Sequence, residues 1–260
     1  MTLHRRQMLT TLACSSFVLA LPGRALAAEE VRVLAAGAVQ KPVEVLIAAY
    51  AKARPETKVT AIYDTVGALR DMVLAGDSPD LLLLSEAALK QLAEQGRLQR
   101  KQYTPIGKTQ VGLCAPLSSP AVDISTPDKL KAVLLAAPSI AHADPARGAT
   151  AGTHFRKVLG ELGILDQVAP RITVVPFGGA IPGQVAKGEF ALGVSQATEI
   201  VPVQEVRYLG PLPPPHALAT VYGLATVKGL RMPDSAAAEL AMTFLGVEGE
   251  DAFQKAGFER

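Results

Sequence analysis

Leu81-Leu82-Leu83-Leu84, entered from Asp80 and followed by Ser85, constrains the fold more than any other stretch of this chain. Four consecutive leucines put apolar side chains on both faces of an extended segment. A central parallel strand with helices on both sides buries them all. The flanking sequence follows the same logic. Residues 31–36 form a continuous apolar run ending in Gly37, after which Val43, Leu46, Ile47, Tyr50 and Ala51 recur with helical spacing. Residues 59–63 read as a second strand, Asp64-Thr65-Val66-Gly67 as a turn, and residues 68–75 as a helix closed by Gly76. With a helix at 86–95 behind the leucines, three β-α units in succession predict a doubly wound parallel sheet.

A second series begins after Gly107. Strands are expected at 111–115, 140–143, 172–175 and 190–194, and helices at 127–136, 150–162 and 181–187, the first opened by Ser125-Thr126-Pro127. Residues 211–215 are a proline-rich connector, and the spacing of Ala237, Leu240, Ala241, Phe244 and Leu245 marks a closing helix from Asp234. The expected architecture is two doubly wound α/β lobes around a ligand cleft. Lobe I takes residues 28–108 and 206–260, and lobe II takes 109–205.

The N-terminus has the layout of an export signal over residues 1–27: Arg5 and Arg6, an apolar run at 8–21, and Ala25-Leu26-Ala27 as the small-residue cleavage step. Pro22-Gly23 interrupts the run, which is too short to span a bilayer. His4-Arg5-Arg6-Gln7-Met8-Leu9 suits either the general or the twin-arginine route. The expected compartment is the periplasm. Of 26 lysines and arginines the leader removes Arg5, Arg6 and Arg24, leaving 23 against 24 acidic residues, a balance that implies no nucleic-acid or membrane-surface partner. Beyond the leader, Cys114 stands alone, so the core and not an internal disulfide must hold the fold.

Open α/β sheets bind ligands beyond the carboxyl ends of their strands, where turns enter helices. Those turns are Gly37-Ala38-Val39, Thr65-Val66-Gly67, residues 144–152 and Phe177-Gly178-Gly179-Ala180. Each is small or glycine-rich and opens a helix, so backbone N–H groups from both lobes converge on one anion site. No HExxH, CxxC, P-loop or GxSxG pattern occurs, which leaves metal hydrolysis, redox, nucleotide and serine-hydrolase chemistry without support, and no metal or cofactor is expected.

Through Val31-Arg32-Val33-Leu34-Ala35-Ala36, Ala75-Gly76, Pro79-Asp80-Leu81, Asp144-Pro145, Leu192-Gly193-Val194 and Gly257-Phe258, the chain resembles the type II periplasmic solute-binding proteins, in particular the molybdate-binding proteins of ABC importers. The resemblance implies serine hydroxyls after the first two strands and a tyrosine after the lobe II strand. This chain has Ala38, Val66 or Gly67, and Gln196 there instead. A dehydrated oxyanion without those donors is left unsatisfied, which argues for an organic carboxylate. Asp144-Pro145-Ala146-Arg147-Gly148-Ala149-Thr150-Ala151-Gly152-Thr153-His154-Phe155 and Gln196-Ala197-Thr198-Glu199-Ile200 resemble the aconitate isomerase branch of that family.

The expected substrate-binding set is Gly37, Ala38, Thr65, Gly67, Arg70, Arg147, Thr150, Gly178, Gly179, Gln196 and Tyr222. Arg147 offers the planar fork suited to a carboxylate. His154 and Glu199 are the expected proton-transfer groups, with His154 favoured because its ordinary pKa already lies near neutrality. Each has a plain structural alternative: Arg70 as a surface charge, Thr65 as a helix N-cap, His154 as a packing or capping residue, Tyr222 as a strand aromatic. Two functions fit this set. One is isomerisation of cis- and trans-aconitate by an allylic proton shift. The other is delivery of a bound anion to an ABC importer.

Overall fold

The computed structural model describes residues 29–98, 102–227 and 235–260. The export signal and the Asp234 helix start therefore lie outside the described residues. The first sheet starts from β1 (Glu30–Ala36), flanked in parallel by β2 (Lys58–Asp64) and β3 (Leu81–Ser85). All four leucines of β3 are fully buried, as a strand apolar on both faces requires. Helices α1 (Gln40–Ala53), α2 (Val66–Leu74) and α3 (Glu86–Glu94) follow these strands. Thr65 caps α2, its Oγ1 accepting from the Ala68 N–H at 3.2 Å. Gly76 ends that unit with φ +107°, a conformation that suits glycine.

The second sheet contains β5 (Ile140–Ala143) between parallel β6 (Ile172–Val175) and β7 (Leu192–Gln196). Helices α4 (Pro127–Ala136), α5 (Thr150–Glu161), α6 (Leu165–Val168) and α7 (Ile181–Ala186) cover it, and the short α8 (Ala197–Ile200) follows β7 directly.

One strand belongs to both sheets. The expected strand at 111–115 is the second half of β4 (Tyr103–Pro116), fourteen residues long. Tyr103 to Gln110 pair antiparallel with β9 (Ala219–Thr226), whereas Val111 to Cys114 pair antiparallel with β7. β9 in turn lies antiparallel against β3, so the sheets are mixed rather than purely parallel. Residues 206–211, expected in lobe I, form β8 (Val206–Pro211) on the second sheet beside β4, and the chain re-enters the first sheet at β9. Tyr222 sits within β9. Helices α9 (Ala236–Leu245) and α10 (Val247–Lys255) close the first lobe against α1.

Each lobe has its own core. Leu34, Leu69, Leu81 to Leu84, Leu89, Leu92, Phe244 and Phe253 fill the first; Leu113, Leu130, Leu134, Ile140, Phe155, Val158 and Ile164 fill the second. Cys114 is buried in a third, smaller cluster, and burial pushes its thiol up to about 12, so it stays protonated. Gly152 lets α5 lie directly on β5, because a Cβ there would collide with the carbonyl oxygen of Ala143. Gly152→Ala should therefore cost about 1–3 kcal/mol through overpacking, read as a lowered denaturant midpoint. A midpoint equal to wild type would show that α5 can move off the strand freely.

Candidate functional site

Between the lobes, the turns after β1, β2 and β5, the turn before α7 and the end of β7 meet around a narrow cleft. Lobe I contributes Gly37, Ala38, Asp64, Thr65 and Val66; lobe II contributes Thr150, Phe177, Gly178, Gln196 and Glu199; Tyr222 reaches in from β9. No lysine, arginine or histidine is among these lining residues. Donors therefore come from Thr150, Tyr222, Gln196, the Val66 N–H at the start of α2 and the first N–H groups of α5, which helix geometry leaves without partners inside the helix.

Of the two carboxyls lining this cleft, Glu199 and Asp64, Glu199 is the more buried. It is 9% exposed, and desolvation raises its pKa, opposed by the Ser195 hydroxyl and the Gln196 backbone N–H. Both donors go to Oε2: Ser195 Oγ in a short contact, and Gln196 N at 3.1 Å. Two glycines make room for the carboxyl. A Cβ on Gly37 would strike Oε1, and one on Gly178 would lie 3.1 Å from Oε2. The Phe177 ring fills the slot between Gly37 and Gly179, so an apolar wall stands beside the acid.

Tyr222 is 1% exposed and packs edge-on against Phe258, with ring centroids 5.9 Å apart. Its phenol is held protonated first by burial and then by the charge of Glu199, with Thr150 and Gln196 beside it acting weakly the other way. The buried Gln196 side chain lies beside the Tyr222 hydroxyl and caps α8 in a reciprocal box with Glu199.

The cleft is closed by direct contacts across it. Thr65 Oγ1 donates to the Arg147 carbonyl at 2.5 Å, and the Gly67 N–H donates to the Gly148 carbonyl at 3.2 Å. Gly148 has φ +68°, and a Cβ on Gly67 would fall 2.6 Å from the Gly148 Cα, so the two backbones touch. Outside them, Arg147 Nη2 grips both oxygens of Asp64, at 2.8 and 2.6 Å.

Several expected site residues stand elsewhere. Arg147 does not line the cleft; it is half-exposed at the rim, and Asp64 at the end of β2 occupies its fork. Arg70 lies along the surface, paired with Asp71 at 2.7 Å and reaching Gln91, because its position on α2 faces α3. His154 turns away: its Nε2 lies 2.7 Å from the His216 carbonyl, which ties α5 to the segment between β8 and β9. Gly67 serves the contact between lobes, and Gly179 packs against Phe177 and Gln40. Sequence reading did not select Asp64, Phe177 or Ser195 as site residues. Ser195 carried the one visible signal, a polar residue directly after the apolar 190–194 run.

Residues 31–259 match the family of bacterial extracellular solute-binding proteins. The chain belongs to that family. It is 27% identical over 216 residues, 80% of this chain and 79% of the relative, to an aconitate isomerase from a Pseudomonas species. Its fold superposes on the periplasmic molybdate-binding protein of Azotobacter vinelandii with TM-score 0.70 and 19% identity, covering 88% of this chain and 99% of that one. The sulfate-binding protein of Mycobacterium tuberculosis H37Rv gives TM-score 0.63 at 16% identity, over 88% and 86% of the two chains. As in other solute-binding proteins, two α/β lobes enclose the cleft. Among the described residues no helix is long and apolar enough to cross a membrane.

Proposed function

We propose that this periplasmic solute-binding protein is an aconitate isomerase, with Glu199 moving the proton. The observation that carries the reading is the Glu199 carboxyl, buried in the cleft with its pKa raised and an apolar wall beside it. An ionised carboxylate repels any anion held in the cleft, so anion binding alone gives no reason for an acid at this position. A proton-transfer catalyst needs a base lifted toward neutrality by burial. The likeness to the Pseudomonas aconitate isomerase supports the same reading.

In the proposed reaction, ionised Glu199 removes a proton from the methylene carbon of the tricarboxylate. The electron pair delocalises through the double bond to the neighbouring carboxylate, and the proton returns from Glu199 to the far end of the allylic system. Atoms and charge balance with no second reactant. The Val66 N–H and the N–H groups opening α5, with the Thr150 and Tyr222 hydroxyls, stabilise the developing charge. His154 takes no part, so His154→Ala should keep wild-type turnover in a steady-state assay; loss of kcat with the fold intact would return it to the site.

Incubation of the purified protein with trans-aconitate, with product identification and solvent-deuterium uptake, tests the reaction. Formation of cis-aconitate is expected, and its absence overturns the isomerase. The family and the oxyanion-binding relatives favour a second reading, delivery of an anion to an ABC importer. Thermal-shift titration with molybdate, sulfate, citrate and aconitate separates the two: tight binding without turnover selects delivery.

A further inference from the structure

The two oxygens of Glu199 are not equivalent. Oε2 takes both donors, the Ser195 hydroxyl and the Gln196 N–H, while no hydrogen bond among the described residues reaches Oε1. Oε1 is also the atom that a Cβ on Gly37 would strike, so it points across the cleft toward lobe I. An oxygen already holding two donors is the poorer proton acceptor, and the bare one is where a proton lands. Ser195 is fully buried, and its hydroxyl lies 3.2 Å from the Gly178 carbonyl as well.

We infer that Oε1 of Glu199 is the atom that exchanges the substrate proton, and that Ser195 is a positioning residue that fixes the carboxyl through Oε2 and links its charge to the Gly178 turn. The catalytic half of this rests on the isomerase reading. Ser195 has one hydroxyl proton and two acceptors within reach. When Glu199 is ionised the proton goes to Oε2; when Glu199 is neutral that pull weakens and the Gly178 carbonyl takes it. The charge of the acid thus reaches the turn that carries Phe177. Two other ionisable groups line the cleft: Tyr222 on β9, whose ionisation the carboxylate opposes, and Asp64 on β2, which Arg147 holds.

Carboxyl carbon NMR of the purified protein, labelled at glutamate and with Glu199 assigned by its loss in Glu199→Gln, reads this directly. In Ser195→Ala the Glu199 midpoint should move up, since a donor to the charged form is gone, and kcat should fall about 10- to 100-fold with KM little changed. The pH profile of kcat should move with the midpoint, and Ser195→Thr, which keeps the hydroxyl, should restore both. In wild type the Gly179 amide, bonded to the Gly178 carbonyl carbon, should follow the Glu199 titration, a check that needs no variant. An unmoved midpoint in Ser195→Ala, or a Gly179 amide indifferent to the titration, overturns the inference. If wild type never isomerises aconitate while the midpoint still moves, the isomerase reading and the role of Oε1 fall together, and the link between Ser195 and Glu199 stands.

Discussion

Glu199→Gln should lower turnover by about 10²–10⁴-fold and leave aconitate binding largely intact, because the amide keeps the volume and loses the base. Solvent-deuterium uptake at the methylene carbon should vanish with turnover. Retained turnover would remove Glu199 from the chemistry. The same variant has a signature in stability. The native state raises the pKa of this carboxyl, so folding binds the proton more tightly than the unfolded chain does. The resulting stabilisation is fully present below the ordinary glutamate range and is lost as pH climbs through the raised native value. Across that window the thermal midpoint of wild type should decline more steeply than that of Glu199→Gln, which has no proton to lose there. Equal slopes would mean that the acid is not buried in solution.

Gly67→Ala should weaken ligand binding by about 10²-fold without destabilising either lobe. The added methyl meets the Gly148 Cα and the Arg147 carbonyl, both 2.6 Å from its position, so the lobes cannot close to their native separation. Within α2 itself alanine is the better residue, by roughly 0.5–1 kcal/mol over glycine. The thermal midpoint should therefore hold or rise while affinity falls, a pairing that a general folding defect does not produce. Calorimetry with aconitate checks the affinity, and scattering checks the radius of gyration of the liganded protein. Wild-type affinity in this variant would show that closure does not run through the Gly67–Gly148 contact.

The regular units were legible because their physics is local. The four leucines announced a two-sided strand, and Thr126-Pro127 announced the start of α4 at the position observed. β9 lacked such a signal. Its run of small and apolar residues follows a proline-rich stretch, and its partners are β3 and the first half of β4, more than 100 residues earlier in the chain. The cleft was legible as a set of turns, which the structure brings together, and less so as side chains. Arginine chemistry suggested that Arg147 reaches for a ligand, but whether a fork is vacant depends on the opposite lobe, where Asp64 waits at the end of β2. His154 failed for a related reason: an imidazole suits proton transfer in general, and its direction on α5 did not suit this cleft. Glu199 ranked second because a glutamate needs burial to serve, and that burial comes from Gly37, Gly178 and Phe177, in two turns far apart in sequence.

The strand shared by the two sheets also fixes an order of assembly. As the chain is made, β1 to β3 emerge first, yet their sheet stays open along β3 until β9 arrives, paired as Leu81 with Thr226 through Ser85 with Tyr222. The second sheet, from the latter half of β4 through β8, is contiguous and can close as soon as its last strand is out. The half made first is therefore completed last, and β3, apolar on both faces, lies exposed throughout that interval. Any partner that protects the nascent chain has its clearest target there.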